Sequence, residues 1–551
     1  MPITFTIDGR QVTGERGETV LPVAIRNGFE VPYFCYHPGL SLSGNCRMCL
    51  VRVTPPPPPP PKPAPDGSVP PAPPPPRPML VIGCMTQIAD GMVVETGTPD
   101  VLKARQGVME FELINHPLDC PTCDQAGECY LQNHSYDHGR SHGRFYEERH
   151  MKHTKALGPN ISLWGSRCIV CTRCVRFTDE ISGTGEICVV NRGDHSVVDV
   201  FPGRPLDNPL SMCTEDVCPV GALISEDFKF QARVWFTKTE KTLCASCSAG
   251  CNVDADTVRE GIVRLKPREN TDVNDWWMCD GGRLSYKSQP AAARLIQARV
   301  DGKPATRAEA VREAWSRLSA AGGGIAGLAS LWNTNEELFL FRRLLRILSP
   351  DADLGVLEQA PGPRQQFKGG FVIQADRNPN RGGAREILGG SAVEAGASAV
   401  ARAVALGKVS TLLVINAAPA PAPSPELDAA LEKVRTLVMI DVLPSPLSKR
   451  AHILLPGTMH WEQDGTFVNA DGRVQRIRPV VTAPGDALPA MDILQELFNQ
   501  HPPGGSGLLS GDGVFRQLGA DVAAFREMTY REVGDRGIPL RTAAAEPAVR
   551  S

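Results

Sequence analysis

Arg167-Cys-Ile-Val-Cys-Thr-Arg-Cys-Val-Arg176 carries three thiols with two residues between each pair, and Cys218-Pro-Val-Gly-Ala-Leu223 supplies a fourth. Three thiolates so spaced wrap one face of a cubane iron–sulfur cluster, and a distant Cys-Pro closes the remaining corner. The chain holds a single triplet of this kind, so Cys218 is expected to close the cluster of Cys168, Cys171 and Cys174. Cys213 competes for that corner but lacks the following proline.

Reading outward, three more sets emerge. Cys35, Cys46, Cys49 and Cys84 form a first set, in which the Cys46-Arg-Met-Cys49 pair lies between a helix and a strand. In a ferredoxin-like hairpin fold its natural occupant is a [2Fe–2S] cluster, although the spacing before Cys46 is not that of plant ferredoxins. The second set is His116, Cys120, Cys123 and Cys129; three thiolates and an imidazole suit zinc as well as iron–sulfur by spacing alone. His134, His138, His142, His150 and His153 lie close in sequence and leave the choice of His116 open. The Cys168 triplet with Cys218 is the third set. Cys244, Cys247, Cys251 and Cys279 form the fourth, where a [4Fe–4S] cluster is favoured over zinc. Cys188 and Cys213 remain, read as inert buried thiols.

All 17 cysteines fall between Cys35 and Cys279. An odd number without a secretory signal argues against a disulfide framework. The start, Met1 to Arg10, alternates like a strand and has no cationic segment followed by an apolar run. No run of about 18 apolar residues suggests a membrane span. The formal net charge of -3 gives no footprint for nucleic acid. Four clusters in one chain make sense as a series of electron carriers.

Around these sites the elements are short. Thr4–Ile7, the Asp8-Gly9 turn and Val12 read as a hairpin, Glu18–Asn27 as a helix, Cys49–Val53 and Met79–Ile82 as strands. Pro55–Pro78 is proline-dominated and reads as an exposed polyproline-II excursion, a loop insertion. Residues 100–300 are poor in long periodic elements, so bound clusters are expected to supply much of their stability. Beyond Pro290 the pattern changes. Ala308–Leu318, Asn335–Leu348 and Pro425–Val434 read as helices, and Gly324–Leu331, Thr411–Asn416 and Thr436–Asp441 as parallel strands of an α/β domain. The last 50 or so residues give no clear pattern. Gly322-Gly-Gly324 lacks a nucleotide-binding spacing, and His452 and His460 are read as surface or supporting residues.

Together the order of sites, Asn115-His-Pro-Leu-Asp-Cys-Pro-Thr-Cys123, the two stretches quoted first and Phe230-Gln-Ala-Arg-Val-Trp235 resemble the large iron–sulfur subunits of respiratory complex I, the NADH-quinone oxidoreductases. Leu454-Leu-Pro-Gly457 and Asp464-Gly-Thr-Phe-Val-Asn-Ala-Asp-Gly-Arg-Val-Gln475 resemble molybdopterin oxidoreductases, whose fold that family retains without the pterin. The resemblance implies a multidomain α+β and α/β chain. Its expected parts are a [2Fe–2S] ferredoxin-like β-grasp domain at 1–98 with the insertion at 55–78, and a His/Cys3 [4Fe–4S] module at 99–139. A ferredoxin-type [4Fe–4S] module at 140–236, a molybdopterin-oxidoreductase-type one at 237–293 and a degenerate α/β domain at 294–551 complete it.

It also implies that His116, Cys120, Cys123 and Cys129 hold a [4Fe–4S] cluster, for one [2Fe–2S] and three [4Fe–4S] clusters in all. Electrons would arrive from a flavin and NADH-binding partner, enter at the first set, pass the third and then the second, and leave through a ferredoxin-like partner towards quinone. The fourth set lies off that route. No catalytic acid, base or nucleophile is implied, and membrane contact runs through partners on the cytoplasmic side of the inner membrane. The rival readings are a molybdenum formate dehydrogenase α-subunit and a hydrogenase-related subunit. Both need active-site cysteines in the region beyond Cys279, which has none. A zinc-stabilised scaffold is the colourless third.

Overall fold

The computed structural model describes residues 2–57, 74–288, 293–417, 423–501 and 509–541. Most of the proline-rich insertion, residues 58–73, lies outside them. The chain forms two compact units, 1–236 and 237–551.

In the first unit, β1 (Ile3–Ile7) and β2 (Arg10–Gly14) form the expected hairpin. Asp8 and Gly9 both take positive φ, as a type I′ turn requires. Helix α1 (Val20–Arg26) follows, then β3 (Leu50–Thr54), β4 (Met79–Ile82) and β5 (Val93–Glu95). The sheet order is β2-β1-β5-β3-β4, with β1 parallel to β5 and the other pairs antiparallel. Alternate strand residues Phe5, Ile7, Val51, Val53 and Val94 turn inward and meet Val20, Leu21, Val23 and Ala24 of α1. This is a grasp of one helix by a mixed sheet, and it leaves the loop 27–49 at one end.

Helix α2 (Pro99–Leu113) and the helix Tyr130–His138 bracket the second set. Beyond them Ile161–Trp164 pairs antiparallel with Thr154–Ala156 and with Leu223–Ser225. Strands are short throughout this region, as its composition implies.

In the second unit, Lys238–Leu243, Asn252–Val258 and Gly261–Pro267 form an antiparallel sheet. The α/β part carries a seven-stranded sheet in which Ile453–Pro456, Thr436–Asp441, Thr411–Ile415, Ile325–Ser330 and Asp353–Leu357 run parallel. Its strands are buried on both faces. Ile325, Leu413, Ile415, Val438 and Ile440 point into one apolar layer, and their alternates Ala326, Leu412, Val414, Leu437 and Met439 into the other. The segment that gave no pattern in sequence contributes the helix Gly511–Asp521 and the edge strand Ile538–Pro539.

His460 departs from expectation. It is 4% exposed, packed edge-on against Trp332 and tilted over Trp461, and neither ring nitrogen has a partner. Burial alone drives its pKa down to about 3, so it is neutral. His452 is half-buried, and its Nδ1 accepts the Leu437 amide at 3.1 Å.

Glu336, in the first turn of the helix Asn335–Leu348, is fully buried. It accepts hydrogen bonds from the Thr466 amide and hydroxyl and from the Tyr530 hydroxyl. Burial pushes its carboxyl up to about 7 against these bonds. The folded state therefore keeps a proton that the unfolded chain releases near 4.5, and stability falls as pH rises between those values. This carboxyl alone should contribute a loss of about 3 kcal/mol between pH 4.5 and 7.5, measured by urea unfolding and circular dichroism. Glu336→Gln should remove most of that difference; an undiminished pH slope in the variant would count against it.

Candidate iron–sulfur sites

The first set is assembled by α1, β3 and β4. Cys49 precedes β3, and Cys84 follows β4; the Gly83 amide bonds the Cys49 carbonyl at 2.8 Å, which brings the two together. Cys35 and Cys46 come from the loop 27–49, where the Cys35 amide donates to Cys46 Sγ at 3.5 Å. All four thiols are buried. Cys35 shares hydrogen bonds with Cys46 and Cys84, and Cys84 with Cys49. Those bonds draw the Cys35 thiol well down and push Cys46 and Cys84 up.

Strand pairing builds the third set. Leu163 pairs with Leu223, and the Trp164 amide bonds the Ala222 carbonyl at 2.7 Å. The chain therefore leaves towards Cys168 and returns from Cys218 at the same end of an antiparallel pair. Val170 and Thr172, on either side of Cys171, have φ of 50° and 62°. For β-branched residues that region is strained, and here it bends the backbone sharply on both sides of Cys171. Arg47, between Cys46 and Cys49, repeats the device at φ 59°.

The second set borders a cavity of about 660 Å³ lined by His116, Cys120 and Cys129. His142 lines it as well; His150 and His153 are exposed. Cys120 is exposed, whereas Cys123 and Cys129 are buried. Burial, then the charge of Arg167, lowers the His116 pKa to about 4, so its imidazole is neutral and free to ligate. Burial first, and neighbouring thiols after it, pushes Cys129 up to about 11.

The fourth set lies in the second unit. The Cys244 amide bonds the Cys251 carbonyl at 2.9 Å across a hairpin that carries Cys247. Cys279 caps the short helix Asp280–Arg283, accepting from the Gly282 amide at 3.3 Å. A Cβ placed on Gly282 would sit 3.0 Å from Cys244 Sγ and 3.3 Å from Cys279 Sγ, so the glycine makes room for both sulfurs. Gln475 and Asn469 hold the loop through the carbonyls of Gly250 and Ala249.

The sites of the first unit abut one another. The Asn45 side chain bonds the Val170 carbonyl at 3.1 Å, joining the first set to the third. A Cβ on Gly221 would lie 2.2 Å from Cys123 Sγ, and the Tyr130 amide bonds the Pro219 carbonyl at 3.0 Å, joining the third to the second. Of the leftover thiols, Cys213 is fully buried as expected, whereas Cys188 is half-exposed.

Most thiols of the third and fourth sets, unlike Cys35, resist ionisation. Burial and then mutual repulsion push Cys168 up to about 11 and Cys171 and Cys279 up to about 12. A bound cation cluster reverses that preference, so metal binding releases protons. Among the described residues, no three His, Cys, Asp or Glu side chains close round a point as ligands of a single ion do. Sequence reasoning passed over the arginines. Arg105 and Arg167 are 2% exposed and Arg173 is 4% exposed. The Nη1 of Arg167 and the Nε of Arg173 and Arg176 are buried without a partner. The signal was there, because Arg167, Arg173 and Arg176 sit inside the quoted cysteine stretch. These donors, the amide-to-sulfur bonds and the glycine clearances fit an anionic, sulfur-rich group at the sites.

Comparison with known proteins agrees. Residues 1–99 match the 2Fe-2S iron-sulfur cluster binding domain, and 105–144 the NADH-ubiquinone oxidoreductase-G iron-sulfur binding region. Residues 158–224 match the ferredoxin-like domain of NADH-quinone oxidoreductase subunit 3, 237–289 the molybdopterin oxidoreductase Fe4S4 domain, and 378–500 molybdopterin oxidoreductase. The G subunit of NADH-quinone oxidoreductase from Rickettsia felis is 36% identical over 350 residues, 63% of this chain and 49% of the relative. This chain is a homologue of the NADH-quinone oxidoreductase G subunits. The homologue in Rickettsia prowazekii is 40% identical over 284 residues, covering 52% of this chain and 39% of that one. The mitochondrial NADH-ubiquinone oxidoreductase 78 kDa subunit of Neurospora crassa is 35% identical over 357 residues, 63% and 45% respectively. The chain thus spans about half the length of these homologues. A solved chain from an NAD+-reducing [NiFe]-hydrogenase is 25% identical over 42% of this chain and 91% of its own, at a TM-score of 0.35.

Proposed function

We propose that this chain is an electron-transfer subunit of an NADH–quinone oxidoreductase. Cys35, Cys46, Cys49 and Cys84 would hold a [2Fe–2S] cluster. His116, Cys120, Cys123 and Cys129 would hold a [4Fe–4S] cluster, as would Cys168, Cys171, Cys174 and Cys218, and Cys244, Cys247, Cys251 and Cys279. Bound clusters of these types exchange single electrons with neighbours. The observation that carries the reading is the order of contact in the first unit, where the first set meets the third and the third meets the second.

The chain's own residues bury most of these thiols, donate amide N–H groups to sulfur, and place guanidinium charge beside them. Each of these favours the anionic ligand state and excludes water. No residue is assigned acid–base or nucleophilic chemistry, and no pterin. An NADH-binding flavin partner would deliver electrons near the first set, and a ferredoxin-like partner would receive them beside the exposed Cys120. No helix among the described residues is long and apolar enough to cross a membrane. The chain would attach to the cytoplasmic face of the inner membrane through partners.

Iron and acid-labile sulfide per purified chain test this directly. One two-iron and three four-iron clusters give about 14 iron atoms, with one slowly relaxing EPR signal and a faster-relaxing group. Zinc in place of iron, or bound molybdenum, would defeat the reading.

A further inference from the structure

Arg173 and Arg176 stand between two of the thiol sets. Arg173 Nη2 donates to the Tyr36 carbonyl, next to Cys35, and Nη1 to the Val217 carbonyl at 3.2 Å, next to Cys218. Its guanidinium lies 5.8 Å from the Tyr33 ring and 5.7 Å from the Tyr130 ring. Arg176 Nη2 donates to the carbonyl of Cys35 itself at 2.5 Å, and Nη1 to that of Ser41. Both arginines belong to the helix Arg173–Phe177, whose first turn includes Cys174. The Nε of each is buried and finds no acceptor among the described residues. Carbonyls therefore anchor the outer nitrogens, while a third N–H on each side chain remains to be matched.

We propose that Arg173 and Arg176 form a cationic bridge shared by the Cys35/Cys46/Cys49/Cys84 site and the Cys168/Cys171/Cys174/Cys218 site, which sets the reduction midpoints of the two clusters jointly. The proposal rests on the ligand sets given above. Positive charge beside a cluster favours its reduced form, and the effect is large where water is excluded. Arg105 provides a contrast. It bonds the Leu50 carbonyl, next to Cys49, at 3.1 and 2.7 Å, and so faces the first site alone. Glu180 is the opposing charge on this bridge. It accepts the Ser41 amide at 2.8 Å and the Ser41 hydroxyl, on the residue whose carbonyl Arg176 holds.

The test is an EPR-monitored redox titration of the full, cluster-loaded chain and its variants, with iron content measured alongside. R176Q should lower the reduction equilibrium constant of both clusters by about tenfold, a fall of about 59 mV in each midpoint. R176K, which keeps the charge, should leave both near their original values. R105Q should lower the [2Fe–2S] midpoint alone. E180Q, an isosteric change away from the ligands, should raise both midpoints. The bridge is refuted if R176Q moves one midpoint or neither at unchanged iron content, or if R176K moves them as far as R176Q. Should R176Q lose iron from the first site, E180Q decides, since only a joint rise supports the bridge. A wild-type chain lacking both signals would refute the ligand assignment, and the bridge with it.

Discussion

Cys171→Ala is expected to lower bound iron from about 14 to between about 6 and about 10 atoms per chain and to unfold the module round it. Cys171 is buried between Val170 and Thr172, whose positive φ values are each strained by about 1–3 kcal/mol. Nothing in the sequence of these two residues favours that conformation, and ligation of the proposed cluster would maintain it. With one of the four ligands gone, the short strands Ile161–Trp164 and Leu223–Ser225 retain too little apolar contact to hold the loops. Their amides should lose protection from hydrogen exchange along with the iron. The second set should also load poorly, because the Gly221 loop forms a wall beside Cys123. Cys213→Ala is the control, as its thiol is buried outside the four sets. Full iron in Cys171→Ala, or equal loss in both variants, would contradict the assignment.

Arg294→Ala should cost the α/β part about 3–5 kcal/mol. Arg294 and Glu462 are 3% and 6% exposed at their side chains and meet through both carboxylate oxygens. Arg294 also bonds the Gly457 carbonyl at 3.1 Å and the Val442 carbonyl at 3.4 Å, so it ties two strand-end loops to the start of the domain. Its removal leaves an ionised carboxylate and two carbonyls facing a hole that water reaches poorly. Replacing both partners with leucine should recover most of the loss, because no unpaired charge then remains buried. Urea unfolding of the two variants separates the cases; a loss under about 1 kcal/mol in the single variant would mean the pair is solvated.

The α/β part was legible because apolar strands and amphipathic helices alternate there, and period and length together separate the two. Asn335–Leu348 and Thr436–Asp441 form over the same residues that the pattern indicates. The segments at Gly511–Asp521 and Ile538–Pro539 were not legible, since a short amphipathic helix with glycine at three positions and a two-residue edge strand carry little periodicity. The proposed cysteine sets rest on spacing, which acts through chemistry and needs no regular structure. His460 was misjudged because a polar residue beside Leu454-Leu455 says nothing of the two tryptophans that enclose it. The arginines were overlooked for a related reason. A cation in a cysteine-rich stretch reads as solvated, and only pairing across distant segments, Arg173 with Tyr36 and Arg176 with Cys35, shows that it is not.

Strands β3 and β4 are antiparallel neighbours, with Val53 opposite Met79, and β4 is the outermost strand of its sheet. The two strands therefore make one hairpin at the rim of the sheet, its tip end marked by Val53 and Met79. The entropy of closing such a tip grows only logarithmically, by about 0.6 kcal/mol for each doubling of its length. The length of this connection is therefore nearly a free variable for the protein. The same rim offers an experimenter a seam where an affinity handle or a fluorescent reporter can be spliced into the chain without disturbing the register that brings Cys49 and Cys84 together.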